Sequence, residues 1–94
     1  RNIRLVTDGK VRYTVPQCIT AAEPVTVYFR VADVYRDVRI VVRDGERVLI
    51  DKKKQKVAPG EMETVALTAD MIASVSGNTL SFSIEAAEKG GIKA

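Results

Sequence analysis

Apolar and polar residues alternate along most of this chain with the period of two that is typical of half-buried β-strands. The clearest run is 80–84, where three large apolar residues alternate with two serines. Because a shift of one residue would turn each apolar set towards solvent, the strands are expected to have well-defined registers. The side chains predicted to face the core are Val11, Tyr13 and Val15, then Val25, Val27, Phe29 and Val31, then Val38, Ile40 and Val42, and finally Val65, Leu67, Leu80, Phe82 and Ile84.

Turn-forming residues separate the alternating runs. Asp8-Gly9 follows the apolar run at 3–7, and Asp44-Gly45 lies between two further runs. Asp-Gly pairs in such positions predict hairpins with type I′ turns, in which both central residues have positive φ. Pro59-Gly60 and the segment 76–78 mark two more turns. The pattern leaves open whether 3–7 is a strand or a linker.

One short stretch, 69–75, has a helical pattern with Thr68 as a suitable N-cap, and a helix this short must pack on other elements. About seven short strands and one helical connector predict an all-β fold. We expect an antiparallel β-sandwich of the immunoglobulin-like or fibronectin-III-like type, with an open Greek-key barrel as the alternative. The predicted organisation is a single domain over 1–94, with its core at 7–86 and a flexible tail at 87–94.

The composition is that of an ordinary folded domain, and it excludes several chemistries. Of the 94 residues, 46% are hydrophobic and 29% are charged. The sequence has no His and one Cys, which excludes a Ser-His-Asp triad, a His-containing zinc site and an internal disulfide bond within it. No apolar run is long enough to cross a membrane and no signal-peptide pattern is present, so we expect a cytoplasmic protein. Because the sequence begins with Arg1 rather than Met, we expect a fragment of a longer protein or a processed product.

Basic residues are concentrated in the middle of the chain, where 30–56 carry nine Lys or Arg and five Asp or Glu. Two interpretations of the densest group are open: the lysines protect an edge strand from pairing with another chain, or they bind a polyanion. The first is favoured, because small nucleic-acid-binding domains usually add stacking aromatics and a net charge above the +3 of this chain. Neither nucleic acid nor a membrane is expected as a partner. The group, called the lysine cluster below, consists of Lys52, Lys53, Lys54 and Lys56.

Two further features have both a structural and a functional interpretation. Tyr35-Arg36 lies on a predicted loop between two core strands, where such a pair is either an interface anchor or a Tyr that packs locally. Cys18 has no His to activate it, and we expect an inert, partly buried thiol. The candidate interaction residues are therefore Tyr35, Arg36, Lys52, Lys53, Lys54 and Lys56.

Four strings of the sequence resemble a known class of protein. They are GKVRYTVPQ at 9–17, YFRV at 28–31, DVYRDV at 33–38 and APGEME at 58–63. In order and spacing they are similar to the C-terminal β domain of bacterial NAD(P)/FAD-dependent oxidoreductases of the pyridine nucleotide-disulfide type. The resemblance implies that FAD and NAD(P) are bound by other domains of a parent chain, because none of that family's cofactor motifs matches a position here.

The resulting expectation is a non-catalytic accessory domain appended to such an oxidoreductase. Its expected partners are the flavin domains of its own parent chain, or a second copy of the chain in a homo-oligomer. No catalytic, cofactor-binding or metal-binding residue is predicted within this sequence. Two alternatives stay open: a polyanion-binding module that uses the lysine cluster, and a bacterial surface adhesion sandwich.

Overall fold

The computed structural model describes residues 2–20 and 22–87, which form eight strands and one short helix. The segment 3–7, left open by the sequence pattern, is a strand. Of the predicted tail at 87–94, all but Ala87 lies outside the described residues. In chain order the elements are β1 (Ile3–Thr7), β2 (Val11–Val15), β3 (Cys18–Ile19), β4 (Val25–Val31), β5 (Tyr35–Asp44), β6 (Arg47–Val57), β7 (Glu63–Leu67), α1 (Ala69–Ala73) and β8 (Thr79–Ala86).

The strands form two sheets around one core, so the fold is all-β and sandwich-like. The larger sheet has five strands in the order β3-β1-β8-β5-β6, and the smaller has three in the order β2-β4-β7. The strand pairings are antiparallel except that between β1 and β8, which is parallel. This parallel pair was not predicted. It is possible because β1 and β8 come from distant parts of the chain, so no short turn fixes their relative direction.

The core lies between the inner faces of the two sheets. Phe29 of β4 and Phe82 of β8 meet edge to face across it, with ring centroids 6.2 Å apart and an interplanar angle of 69°, a favourable geometry for aromatic pairs. Ile3 and Leu5 of β1 are buried as well, so the core begins before the predicted limit at residue 7. The other members of the core cluster are Val11, Ile19, Val27, Val31, Val38, Ile40, Val42, Val57, Val65, Leu67, Ile72, Val75, Leu80 and Ile84.

The predicted inward-facing set is wrong for β2, because a β-bulge lies between Val11 and Tyr13. An extra residue in one strand reverses the face of the residues that follow it. Val11 is buried as predicted, but Tyr13 and Val15 are 39% and 55% exposed, and Thr14 takes the inward position. The Thr14 hydroxyl donates to the Pro16 carbonyl oxygen at 2.8 Å, which satisfies this polar group inside the core.

The turn at Asp8-Gly9 joins the two sheets rather than two paired strands. β1 pairs with β3 and β8 whereas β2 pairs with β4, so the predicted hairpin is wrong. Of the two turn residues only Gly9 has a positive φ, so the turn is not of type I′. Asp8 Oδ1 accepts the N–H groups of Lys10 and Val11, and its Oδ2 accepts the N–H of Ile84 in β8 at 3.0 Å. The carboxylate therefore fixes the point where the chain crosses from one sheet to the other.

The second Asp-Gly pair does lie at a hairpin, but the turn is of another type. β5 and β6 pair as far as Asp44 and Arg47, so Gly45 and Glu46 are the central residues of the turn. Of these two only Gly45 has a positive φ, at 63°. A positive φ at the first central position alone is the pattern of a type II′ turn, for which Gly is the usual residue.

Two other local predictions are confirmed. The Thr68 side chain caps α1 by accepting a backbone N–H of the first turn at 3.1 Å, and the helix ends at Ala73, slightly before the predicted end. The turn at Pro59-Gly60 is closed by a hydrogen bond of 3.0 Å from the Glu61 N–H to the Ala58 carbonyl oxygen.

Asp44, the last residue of β5, ties the β5–β6 hairpin to the loop after the helix. Its side chain is 5% exposed. Its Oδ2 accepts the Ser76 backbone N–H at 2.9 Å, the Ser76 hydroxyl at 3.2 Å and Arg47 Nη2 at 3.2 Å. Arg47 Nη2 also donates to the Ser74 carbonyl oxygen at 2.8 Å. These donors, the Ser76 N–H foremost, lower the pKa of Asp44 against the opposing effect of burial.

Asp44→Ala should clearly lower the free energy of unfolding, because the Ser76 amide and the Arg47 guanidinium both lose their acceptor. Urea denaturation measures the change. Glu46→Ala, which removes an exposed carboxylate from the same turn, is the matched control and should shift the free energy by less than about 0.5 kcal/mol. Equal losses in the two variants would contradict the structural role of Asp44.

Candidate functional site

The lysine cluster lies on β6, the edge strand of the five-stranded sheet. Lys52 pairs with Ile40 and Lys54 pairs with Val38, so both lysines are on the side of the sheet that faces the core. At this edge they reach across to the other sheet, where Lys52 Nζ donates to the Thr64 carbonyl oxygen of β7 at 3.3 Å. Lys52 therefore makes a contact between the sheets.

Lys54 makes the second of these contacts. Its Nζ lies 3.3 Å from Oε1 of Glu63 in β7, and the Glu63 side chain is 7% exposed. A carboxylate buried to this extent needs a paired charge to offset the water that it has lost. Lys52 and Lys54 together join β6 to β7 and close one side of the sandwich.

The other two lysines of the cluster are exposed and lie opposite cations. Lys53 pairs with Arg39 and Lys56 pairs with Arg36 on β5. Because Lys52 and Lys54 are turned to the inter-sheet side and Lys53 to the opposite face, the cluster does not form one continuous basic surface. The edge position agrees with a protective role. Polyanion binding stays a prediction, and this arrangement does not favour it.

Tyr35 and Arg36 are the first residues of β5 rather than part of a loop. Tyr35 is half-buried, packs against the core and pairs with the buried Val57. Arg36 is exposed and follows Tyr35 into the strand. Of the two interpretations of this pair, local packing of Tyr35 fits the structure better than an interface anchor.

Ion pairs lie on the outer face of the five-stranded sheet, between side chains of β5, β6 and β8. Glu85 of β8 accepts hydrogen bonds from both Nη atoms of Arg43, and Arg39 Nη2 lies 3.4 Å from Glu85 Oε1. Arg39 also pairs with Asp51 of β6. Val41, between the two arginines on β5, is fully buried although it belongs to the outer face. The part of this face formed by β5, β6 and β8 therefore carries ion pairs within the chain.

The outer face of the three-stranded sheet is different, because exposed aromatic and apolar side chains lie on it. Tyr13 and Val15 of β2 and Tyr28 of β4 are 39%, 55% and 45% exposed. Val15 pairs directly with Tyr28, and Tyr13 pairs with the neighbouring Arg30. Side chains at such direct and diagonal positions are within reach of one another. We call Tyr13, Val15 and Tyr28 the aromatic patch.

An open groove of about 1070 Å³ separates β1 from β2, on the side of the sandwich away from the lysine cluster. Cys18 lies in this groove, opposite Arg4 in the β1–β3 pairing. Its thiol is exposed rather than partly buried as predicted, because Ile19 is the residue of this short strand that points to the core. The groove is lined by Asn2, Arg4, Leu5, Val6, Thr7, Arg12, Tyr13, Thr14, Gln17, Cys18, Asn78 and Thr79.

The charges of the groove have one sign. Arg4 and Arg12 are its charged lining residues, and both are exposed. Neither forms an ion pair with a described residue. The rest of the polar lining consists of uncharged amides, hydroxyls and the thiol, so the groove offers two cations whose charge is not neutralised by an acidic side chain of the lining.

Neither the groove nor the aromatic patch was predicted from the sequence. The string from Val11 to Val15 contains no Gly or Pro that would mark the bulge, so strict alternation places Tyr13 inside. The groove exists because β1 and β2 join different sheets, and that depends on long-range pairing. No local signal in the sequence could have identified either feature.

Lys54→Met leaves Glu63 buried without its cation and should lower the free energy of unfolding by about 1–3 kcal/mol. Lys53→Met is the matched control in the same cluster and should change it by less than about 0.5 kcal/mol. The double variant Lys54→Met/Glu63→Gln should recover part of the loss, because the uncompensated charge is then removed. Urea denaturation measures all three, and similar losses in both single variants would rule out the inter-sheet role of Lys54.

Glu85 should make the stability depend on pH in the acid range. The hydrogen bond from Arg43 is the main cause that lowers the pKa of Glu85 to about 2, with further contributions from the Ser83 hydroxyl and the charges of Arg43 and Arg39. Because this pKa is below the ordinary value of 4.5, the carboxylate stabilises the folded state above pH 4.5, and the contribution is lost as pH falls towards 2.

The measurement is the free energy of unfolding of wild type and Glu85→Gln at a series of pH values. Glu85→Gln should be the less stable protein at neutral pH, and the difference should shrink as the pH falls through the range from 4.5 to about 2. Glu61→Gln, at an exposed position, is the control. A difference between wild type and Glu85→Gln that stayed constant over this range would contradict the ion-pair assignment.

Within residues 2–20 and 22–87, no group of three or more His, Cys, Asp or Glu side chains is placed to hold a metal ion. No helix in this part of the chain is long and apolar enough to cross a membrane. No protein-family model, no curated protein and no solved structure matches the chain.

Proposed function

We propose that this chain is a non-catalytic interaction domain that docks on the flavin domains of a cytoplasmic bacterial oxidoreductase of which it is the C-terminal part. The observation that carries the proposal is the aromatic patch, formed by Tyr13, Val15 and Tyr28 on the outer face of the three-stranded sheet. FAD and NAD(P) would be bound by the other domains of that parent chain.

The patch has the character of a docking surface. Tyr is enriched at the centres of protein interfaces, where its ring supplies contact area and its hydroxyl a hydrogen bond. Neighbouring Arg30 is held in place, since its Nη1 donates to the Pro59 carbonyl oxygen at 3.2 Å. The outer face of the five-stranded sheet instead carries the ion pairs of Glu85, so the two faces differ in what they offer to a partner.

The choice of partner rests on the resemblance to the oxidoreductases. The strings 9–17 and 28–31, which carry part of that resemblance, contain all three residues of the aromatic patch. Contacts between domains of one chain are usually modest in area and fairly polar. A patch of two tyrosines and one valine with an arginine beside it is of that kind.

The immunoglobulin-like or fibronectin-III-like type of sandwich is part of the same proposal. The antiparallel order β2-β4-β7 and the β5–β6 hairpin support it. The parallel pairing of β1 with β8 is a departure from a purely antiparallel sandwich. The type therefore rests on the general arrangement of the two sheets.

The test is to express the polypeptide encoded upstream of Arg1 separately and to titrate it with this chain in a calorimeter. The upstream polypeptide should contain bound flavin and should bind the wild-type chain. Tyr28→Thr, which keeps a β-forming residue, should weaken the binding roughly tenfold or more, the loss expected of an interface hot spot.

Val48→Thr is the matched control, because Val48 on β6 is 46% exposed, close to the 45% of Tyr28, and lies outside the patch. It should leave the binding unchanged. An upstream polypeptide without flavin, or equal binding by wild type and Tyr28→Thr, would overturn the proposal. Visible flavin absorbance in the purified chain of 94 residues would overturn its non-catalytic part.

A further inference from the structure

The two open sides of the sandwich differ in the contacts that their edge strands make. On one side, Lys52 and Lys54 of β6 contact Thr64 and Glu63 of β7, so side chains bridge the two sheets there. On the other side β2 is the edge of the three-stranded sheet, and its strand partner in the described part of the chain is β4 alone. An edge strand presents a row of N–H and C=O groups that can pair with another extended chain.

β1, on the other side of the groove, pairs with β3 over only part of its length, which leaves room for such a chain. β1 is bonded to the β3 segment through Ile3, Arg4 and the Leu5 N–H, which donates to the Gln17 carbonyl oxygen at 3.0 Å. β3 is only two residues long, so β1 continues to Thr7 beyond the end of that pairing. The groove of about 1070 Å³ lies between this part of β1 and the edge of β2.

The edge of β2 carries fewer protective charges than that of β6, since its charged residue is Arg12. Four lysines lie on the edge strand β6, whereas the five residues of β2 include no lysine. The bulge between Val11 and Tyr13 interrupts the pairing at the start of the strand. Beyond it, Tyr13, Thr14 and Val15 pair regularly with β4, and Tyr13 and Thr14 line the groove together with Arg12.

The charges of the groove select the chemistry of the occupant. Arg4 and Arg12 line it, and no acidic side chain among residues 2–20 and 22–87 does. Arginine in such positions pairs with carboxylates through its fork of donors. An extended segment that carries Asp or Glu at alternate positions would place main-chain groups along β2 and carboxylates near the arginines.

The geometry points to this groove as the binding site for an extended acidic segment of a partner protein, which adds as a strand to the free edge of β2. The inference goes beyond the proposed function and rests on it only in assuming that the domain serves to bind another polypeptide. The added strand would match β2 in length, about five residues or roughly 17 Å. Strand addition supplies affinity through the main chain, and Arg4 and Arg12 supply selectivity.

The experiment measures fluorescence polarisation of labelled Glu-Val-Glu-Val-Glu-Val-Glu on titration with the chain alone. This peptide should bind, and Lys-Val-Lys-Val-Lys-Val-Lys should bind at least tenfold more weakly because it meets the two arginines. The acidic peptide with alternate amides N-methylated keeps its charge but loses donors for pairing, so its affinity should fall roughly tenfold or more. Equal binding of the acidic and basic peptides, or of the methylated and unmethylated ones, would overturn the inference.

Variants of the chain localise the site. Arg4→Glu/Arg12→Glu should weaken binding of the acidic peptide roughly tenfold or more. Arg36→Glu/Lys56→Glu is the matched control, because it reverses two exposed charges on the β5–β6 side of the sheet and should have a much smaller effect. Equal losses in the two double variants would mean attraction by net charge alone and would overturn the inference.

A second copy of the chain is the competing occupant of the groove. If sedimentation shows a dimer that Arg4→Glu/Arg12→Glu abolishes, and the acidic peptide does not bind, the groove is a self-association site and the inference is wrong. The peptide assay needs only this chain, so peptide binding is measured whether or not the flavin domains bind. Conversely, loss of flavin-domain binding in Tyr28→Thr tests the aromatic patch without involving Arg4 or Arg12.

Discussion

One carboxylate, that of Asp8, holds the crossing on which the arrangement of the two sheets depends. Its Oδ1 accepts the N–H groups of Lys10 and Val11 at the start of β2, and its Oδ2 accepts the N–H of Ile84 in β8. The Asp8 carboxylate thus lies where β1 ends beside β8. Its hydrogen bonds to Lys10 and Val11 fix the position at which β2 begins in the other sheet. Because β1 and β2 diverge from this point, a groove lies between them and β2 becomes the edge of the smaller sheet.

The two open sides of the domain differ in how their cations are paired. Where β6 approaches β7, long side chains span the gap, and Lys54 neutralises the buried Glu63. Where β1 approaches β2, the arginines of the groove have no such counterpart in its lining. A cation that is paired inside the chain contributes to the fold, whereas one that faces an acid-free groove is available to a partner. Lys52 and Lys54 are therefore engaged within the fold, whereas Arg4 and Arg12 lie together in a groove.

The sequence predicted those elements that depend on neighbouring residues. Uninterrupted alternation placed Phe29 and Phe82 correctly in the core, and the cap at Thr68 needed only the next turn of helix. What could not be predicted depends on distant contacts: the parallel pairing of β1 with β8 and the separation of β1 from β2. The position of the lysine cluster on an edge was predicted, but not the contact of Lys54 with Glu63. The candidate site was missed because the bulge at Tyr13 leaves no mark in the local sequence.

The bulge in β2 sets the register of the strand and also decides which of its side chains are exposed to a partner. A side chain of the size of Val or Tyr stabilises a fold by about 1.5–3 kcal/mol when it is fully buried, and a domain of this size buries a smaller share of its surface than a large one. Strict alternation would have placed Tyr13 and Val15 in the core, yet the chain turns both outwards and buries Thr14 in their place. The observed register leaves apolar area of Tyr13 and Val15 exposed on the outer face of the sheet. If that face is covered by a partner, the apolar area of Tyr13, Val15 and Tyr28 is buried on docking instead of on folding.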